Sequence, residues 1–257
     1  MEKILELFSL RGRVALVTGG SRGIGFAITE GLAAAGATTI VADILEEQGE
    51  EAARTLRSKG FRAAFVRVDV TQRASVEAMV SKILMEFRQI DILVNNAGVI
   101  VRKPIEEITD GEWDWMMNVN LRGTFLCCQS VGREMIKRRY GKIVNLSSNA
   151  AHTLQAHRGI YATTKAGISH LTRAFALDWA PHHIHVNAIA PGTTTTELNR
   201  TYFDEHPEDY QERLKTHPLG RLGVPEDYVG VAIFLASKAS DYMTGQTVFV
   251  DGGSTLI

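Results

Sequence analysis

Short runs of almost purely apolar residues recur along this chain, each followed by a stretch with helical spacing. That alternation constrains the fold more than any other feature. The runs are Val14-Ala15-Leu16-Val17, Thr39-Ile40-Val41-Ala42, Ala64-Phe65-Val66-Arg67-Val68, Ile92-Leu93-Val94, Ile143-Val144-Asn145-Leu146, Val186-Asn187-Ala188-Ile189 and Val248-Phe249-Val250. A strand with one face in water alternates apolar and polar residues. A strand apolar at nearly every position must be covered on both faces, as parallel strands are between helix layers. Between the runs, Val76, Met79, Val80, Ile83, Leu84 and Phe87 follow helical spacing, with Glu77, Lys82 and Glu86 on the other side. Pro225-Glu226-Asp227 opens another helix, with proline in its first turn and carboxylates at the positive end of its dipole. Repeated strand–helix units predict a doubly wound parallel sheet. No composition break, linker or internal repeat divides residues 1–257, which read as one domain. The stretch 193–222, with Pro207 and Pro218, is poor in strand signal and reads as a helical lid or mobile loop.

The net charge of −1 gives no electrostatic case for nucleic acid or a membrane surface as partner. No run is long and apolar enough to span a bilayer, and the acidic opening Met1-Glu2-Lys3-Ile4-Leu5-Glu6 is no secretory signal. Cys127 and Cys128 are adjacent, a spacing that suits neither a disulfide framework nor a metal site of the Cys-x-x-Cys kind. A cytoplasmic protein that holds no metal is expected.

The first apolar run leads into Thr18-Gly19-Gly20-Ser21-Arg22-Gly23-Ile24-Gly25, where a helix begins. Glycines there let backbone approach a pyrophosphate, and the helix N-terminus supplies N–H groups and a positive dipole end. Gly19, Ser21, Arg22, Gly23, Ile24 and Gly25 are therefore candidate dinucleotide contacts, although the spacing Gly19-x-x-x-Gly23-x-Gly25 differs from Gly-x-Gly-x-x-Gly. The second run ends at Asp43, whose carboxylate can accept hydrogen bonds from the adenosine ribose hydroxyls and would repel a 2′-phosphate. NAD is thus favoured, while Arg22, able to pair with that phosphate, keeps NADP open. Asp69-Val70 closes the third run, where an adenine edge would lie, and Asn95-Asn96-Ala97-Gly98 closes the fourth with small residues that let a cofactor pass. All sit at carboxyl ends of strands, where open α/β sheets bind ligands.

Tyr161 and Lys165, four apart in Tyr161-Ala162-Thr163-Thr164-Lys165, share one face of a helix. An ammonium beside a phenol favours the phenolate, and a tyrosine that exchanges its proton near neutrality is a general acid/base.

Taken together, Thr18-Gly-x-x-x-Gly23-x-Gly25, Asn95-Asn96-Ala97-Gly98, Asn120, Ser148, Tyr161-x-x-x-Lys165 and Pro191-Gly192 resemble the short-chain dehydrogenase/reductase family, in order and over nearly the whole chain. The resemblance implies a single three-layer, Rossmann-like α/β domain around a seven-stranded parallel sheet, assembled as a homotetramer. It implies that Tyr161 is the acid/base and that Lys165 holds the nicotinamide ribose and lowers the tyrosine pKa. It further implies that Ser148, rather than Ser147, hydrogen-bonds the reacting oxygen, and that Asn120 supports a water relay to Lys165. Pro191 and Gly192 would contact the cofactor, with the Thr194 backbone facing its carboxamide and the Thr196 hydroxyl approaching it. The activity implied is NAD(P)-dependent interconversion of a secondary alcohol and a ketone.

The loops that would shape a substrate pocket carry Arg102 and Lys103, then His152, Gln155, His157 and Arg158, then Asn199, Arg200 and Tyr202. That basic, polar set suits a hydroxylated or anionic small molecule. Leu7-Phe8-Ser9-Leu10-Arg11-Gly12 and Val101-Arg102-Lys103-Pro104 are also similar to gluconate 5-dehydrogenases and related sugar-acid dehydrogenases, so a polyol, sugar or sugar acid is the first expectation. Two alternatives are a broad ketone or 3-oxoacyl reductase using NADPH, which Arg22 favours, and a non-catalytic dinucleotide-binding scaffold, against which Asn120, Ser148, Tyr161 and Lys165 all stand.

Overall fold

The computed structural model describes residues 2–196, 200 and 203–256. Its centre is a seven-stranded sheet in the order β3-β2-β1-β4-β5-β6-β7. The strands are β1 (Val14–Thr18), β2 (Thr38–Asp43), β3 (Ala63–Arg67), β4 (Ile92–Asn95), β5 (Gly141–Leu146), β6 (Ile184–Pro191) and β7 (Thr247–Val250). Every pair is parallel, from Val14 against Thr38 at one side of β1 to Pro191 against Val250 at the far edge. The seven apolar runs of the sequence each coincide with one of these strands to within a residue or two.

The continuous apolar character of β1 follows from its two faces. Val14 and Leu16 pack into one core with Ile40, Val76, Ile83 and Val131. Ala15 and Val17 pack into a second with Ile28, Leu32, Val94 and Leu235. Each valine, leucine or isoleucine among them, withdrawn from water, contributes roughly 1.5–3 kcal/mol. The helices supplying the first core include α4 (Arg73–Phe87) and α6 (Gly123–Arg138), and those supplying the second include α2 (Gly23–Ala34) and α9 (Val229–Ala236). The α4 stripe is as read: Val76, Met79, Val80 and Ile83 are buried, and Leu84 and Phe87 pack at the core's edge.

Local chemistry sets the other helix ends. At α5 (Asp110–Met116) the Thr109 hydroxyl accepts from the Glu112 N–H at 3.2 Å, and the Glu112 carboxylate accepts from the Thr109 N–H at 3.0 Å, a reciprocal cap. Pro225 opens a 3₁₀ turn, Pro225–Tyr228, and the α-helix proper starts only at Val229. Asp227 draws that turn tight: it accepts from the Val224 N–H at 2.8 Å and pairs with Arg221 at 2.6 Å. Within 193–222 lies α8 (Pro207–Leu214), again with proline at its start. α7 (Gly159–Trp179) is the remaining helix that the site uses.

The chain leaves β3 at one edge and returns through α4 to β4 beside β1, so helices from β1 and β4 depart to opposite faces and a crevice opens between them. At the opposite, amino end of these strands Asp91 is wholly buried. Its carboxylate accepts from the Val14 N–H at 2.9 Å and pairs with Arg138 at 2.7 Å and Arg13 at 3.4 Å. Asp91→Ala strands both cations and a buried N–H. We expect urea denaturation to show a loss of about 3 kcal/mol, the lower end for a broken buried pair because both arginines keep about a third of their exposure.

Candidate active site

The crevice between β1 and β4 holds a cleft of about 440 Å³. Gly19, Arg22, Gly23, Ile24, Gly25, Asp43, Asp69, Val70, Asn96, Ala97, Gly98 and Thr196, all named from sequence, line it. The turn after β1 needs its glycines for two physical reasons. Gly19 and Gly23 have φ of 61° and 55°, a left-handed backbone that favours glycine. A Cβ on Gly25 would lie 2.1 Å from the Gly19 carbonyl oxygen and 2.4 Å from the Asn96 amide nitrogen. Thr18 and Asn96 stitch this turn to the one after β4. The Thr18 hydroxyl accepts from the Asn96 and Ala97 N–H groups at 3.1 and 3.3 Å, and the Asn96 amide donates to the Gly19 carbonyl at 2.8 Å.

Asp43 ends β2 at the cleft wall. Its carboxylate accepts from the Ser21 hydroxyl at 2.5 Å and N–H at 3.3 Å, and from the Leu45 N–H at 3.2 Å. Ser21 thus meets the cleft through Asp43 rather than by lining it. Glycine backbone free of side chains, a helix N-terminus at Gly23, a carboxylate at the next strand end and apolar walls together fit a dinucleotide. Ile44, Leu45, Val68, Thr71, Val99, Trp115 and Val119 complete the walls. Sequence reasoning passed over them. Ile44 carried a signal, an apolar residue directly after the strand-ending acid, whereas Trp115 and Val119 reach the cleft only through the fold.

Beyond Gly98 the lining gives way to polar chemistry. Asn120 sits in a widened, π-helical turn, Met117–Arg122, between α5 and α6. Its amide donates to the Val99 carbonyl at 2.9 Å and the Thr164 hydroxyl at 3.0 Å, and accepts from the Val99 N–H at 2.8 Å. Lys165, buried on α7, donates to the Leu146 carbonyl at 2.8 Å. A Cβ on Gly98 would lie 3.5 Å from both the Asn120 oxygen and the Lys165 nitrogen, so the two groups converge there. Burial brings the Lys165 ammonium down to about 8.

The Lys165 nitrogen is 5.6 Å from the centre of the Tyr161 ring. Burial raises the Tyr161 phenol above its ordinary value, while a hydrogen bond with Ser148 and the charges of Arg158 and Arg102 pull it down. Ser148, Arg158 and Arg102 thus add a downward pull beside the one expected of Lys165. Ser148 and Ser147 separate by what they touch. Ser147 donates to the Lys165 carbonyl at 3.0 Å and meets Ser169 at 2.8 Å, a contact between β5 and α7. Ser148 faces Tyr161 and accepts from the Ala150 N–H at 3.1 Å.

The segment after β6 divides. Pro191 closes the strand, and Gly192 donates to the Val250 carbonyl at 3.1 Å. A Cβ there would lie 2.8 Å from the Asp251 backbone. The Thr194 hydroxyl turns to Tyr228 at 2.5 Å and the Gly192 carbonyl at 3.1 Å. Of these residues, Thr196 alone reaches the large cleft, across from Gly23. Of the loop candidates, Asn199 and Tyr202 lie outside the described residues.

A family model described as enoyl-(acyl carrier protein) reductase matches residues 19–255. The gluconate 5-dehydrogenase of Gluconobacter oxydans is 39% identical over 252 residues, 98% of each chain. A 3-oxoacyl-(acyl-carrier-protein) reductase of Aquifex aeolicus is 39% identical over 245 residues, 95% of this chain and 98% of the relative. A crystal structure of a gluconate 5-dehydrogenase from Burkholderia cenocepacia, in complex with NADP and tartrate, is 42% identical, with a TM-score of 0.95 and 99% of each chain covered.

Gly25→Ala tests the cradle. We expect calorimetric titration with NAD to show affinity weakened by about 1–3 kcal/mol, the usual cost of overpacking, with the far-ultraviolet circular dichroism retained. Wild-type affinity would contradict the close approach of backbone at this turn.

Proposed function

From a chain that belongs to the short-chain dehydrogenase/reductase family, we propose an oxidoreductase that interconverts a secondary alcohol and a ketone by hydride transfer, its substrate a polyol, sugar or sugar acid. The observation that carries this reading is the convergence of Asn120, Ser148, Tyr161 and Lys165 at the end of a glycine-walled cleft. Gluconate 5-dehydrogenases among the relatives support the substrate class. We take residues 1–257 as one domain, 193–222 as its substrate lid, the assembly as a homotetramer and the compartment as cytoplasmic. Among the described residues no helix is long and apolar enough to cross a membrane.

Bound in the cleft against Gly19, Gly23, Gly25, Asp43, Asn96 and Gly98, the nicotinamide dinucleotide supplies the hydride chemistry. The protein manages the proton. Ser148 donates to the substrate oxygen and fixes its distance from Tyr161. In oxidation the phenolate of Tyr161 takes the hydroxyl proton, and in reduction the phenol returns one to the carbonyl oxygen. Lys165, held by Leu146, presents its remaining N–H groups to the ribose. Asn120, anchored by Val99 and Thr164, holds a water in line with Lys165. NAD is the preferred dinucleotide, because Asp43 sets a carboxylate where a 2′-phosphate would sit. The second reading, a 3-oxoacyl reductase using NADPH, draws on Arg22, which lines the same cleft, and on the Aquifex aeolicus relative.

Tyr161→Phe removes the proton carrier and little else. We expect kcat to fall by about 10²–10⁴-fold with NAD affinity kept, and turnover near the wild-type rate would sink the assignment. Because burial raises the phenol, its base form accumulates on the alkaline side. Oxidation should therefore climb with pH while ketone reduction falls, and pH–rate profiles in both directions check the opposed slopes. Asp43→Asn removes the charge facing a 2′-phosphate. The ratio of kcat/KM for NADP to that for NAD should rise about tenfold or more, and an unchanged ratio would place the selectivity elsewhere.

A further inference from the structure

The Ser148 hydroxyl has one hydrogen to give and two lone pairs to offer. One lone pair accepts the Ala150 N–H at 3.1 Å. The hydrogen goes to the side-chain oxygen of Asn149 at 3.3 Å, longer than an ordinary O–H···O bond. The other end of the Asn149 amide donates to the Ser254 hydroxyl at 2.9 Å, 105 residues farther along the chain. Ser254 in turn donates to the Asp251 carboxylate at 3.0 Å. That carboxylate also accepts the Gly253 and Thr255 N–H groups at 3.1 and 2.9 Å. Burial raises the Asp251 carboxyl, but its hydrogen bonds with Thr255, Ser254 and Gly253 outweigh burial and hold it below its ordinary value, so it stays ionised. The turn after β7 that carries these residues is itself tied down, because the Leu219 N–H donates to the Gly252 carbonyl at 3.2 Å.

The direction of this chain of hydrogen bonds has one origin. An ionised carboxylate can only accept. Ser254 therefore gives its hydrogen to Asp251 and accepts on its other side. The Asn149 amide nitrogen meets it there, which turns the Asn149 oxygen towards Ser148. We infer that Asn149 is a positioning residue: its oxygen holds the Ser148 hydroxyl ready beside Tyr161, and the turn after β7, through Ser254 and Asp251, fixes the direction of that hold. The inference rests on the oxidoreductase reading given above. A long bond to a neutral acceptor is weak enough to be exchanged for one to a substrate oxygen. Ser148 and Asn149 are both buried, so without the amide the hydroxyl is left to turn with little water to replace its partner. The Asn149 side chain is not needed to close its own turn, Asn149–Ala151. Main-chain bonds do that: the Ala151 N–H donates to the Ser148 carbonyl at 3.0 Å and the His152 N–H to the Asn149 carbonyl at 2.9 Å.

The test uses whichever of D-gluconate, D-glucitol, glycerol and 2-butanol the wild type oxidises fastest with NAD. Steady-state kinetics and calorimetric titration with NAD are run on wild type, Asn149→Ala, Ser254→Ala, Ser254→Thr and the double variant of Asn149→Ala with Ser254→Ala. Asn149→Ala should lower kcat about 3- to 10-fold, with KM and the NAD Kd changed by no more than about twofold. Ser254→Ala leaves Ser148, Tyr161 and Lys165 in place and should lower kcat by a smaller factor, and Ser254→Thr, which keeps the hydroxyl, should restore it. Both residues act through one chain, so the double variant should be no slower than Asn149→Ala alone. Wild-type kcat in Asn149→Ala, the same loss in Ser254→Thr as in Ser254→Ala, or losses that multiply in the double variant would each overturn the positioning role. NAD affinity that falls along with kcat would mark the effect as structural and overturn it as well. Where Asn149→Ala fails to fold, the comparison of Ser254→Ala with Ser254→Thr decides. Variants that all match an active wild type sink the positioning role and leave the oxidoreductase reading standing. Loss of that reading would instead appear as a wild type with no NAD(P)-linked turnover of any alcohol or ketone, and the positioning role would fall with it.

Discussion

The stitch between the ends of β1 and β4 is the contact on which the rest of the site depends. Two strands adjacent in the sheet but far apart in sequence finish side by side, and their turns must diverge to leave a crevice. Thr18 and Asn96 hold them in register while they do so, with one hydroxyl capping two N–H groups and one amide answering a carbonyl. On one side of the stitch lie the glycines of the cleft. On the other, the same loop runs on to Gly98 and Val99, and Val99 grips Asn120 through both its N–H and its carbonyl. The cradle and Asn120 are thus hung from a single pair of strand ends, and rigid backbone sets the distance between them.

Electrostatic cost concentrates where chemistry is expected. Lys165 is withdrawn from water with a carbonyl accepting its hydrogen bond, and Tyr161 lies half-buried beside it. Neither is paired as a purely structural ion pair would be, in the manner of Asp91 with Arg13 and Arg138 at the other end of the same strands. The contrast is informative: the Asp91 carboxylate at the amino ends meets two cations, whereas the Lys165 ammonium at the carboxyl ends meets a carbonyl rather than a carboxylate.

Relatives that reduce carrier-bound acyl chains and relatives that oxidise sugar acids are equally similar to this chain, at 39% identity. That equality has a physical source. Sheet, glycine turn and the Tyr161–Lys165 face serve any alcohol, so most of the sequence is shared whatever the substrate. Selectivity is left to a few side chains of the loops around that face.

The strands were legible in the sequence because a strand covered on both faces must be apolar throughout, and each run found its place within a residue or two. The glycine turn, Asp43 and the Tyr161–Lys165 pair were legible because their chemistry needs fixed spacing within one short segment. Other features were not, since they depend on which distant segments meet. Nothing near Asn149 in the chain points to Ser254, and nothing in Lys103 shows that Glu112 claims it. Pro225 marked a helix start that became a 3₁₀ turn, because Asp227 pulls the chain tight before α9 begins. Periodicity and local motif by themselves determined the layers, the cleft and the helix face that Tyr161 and Lys165 share. Only the tertiary structure decided which charges are paired within the fold, because a charge's partners are neighbours that the sheet brings together from far along the chain.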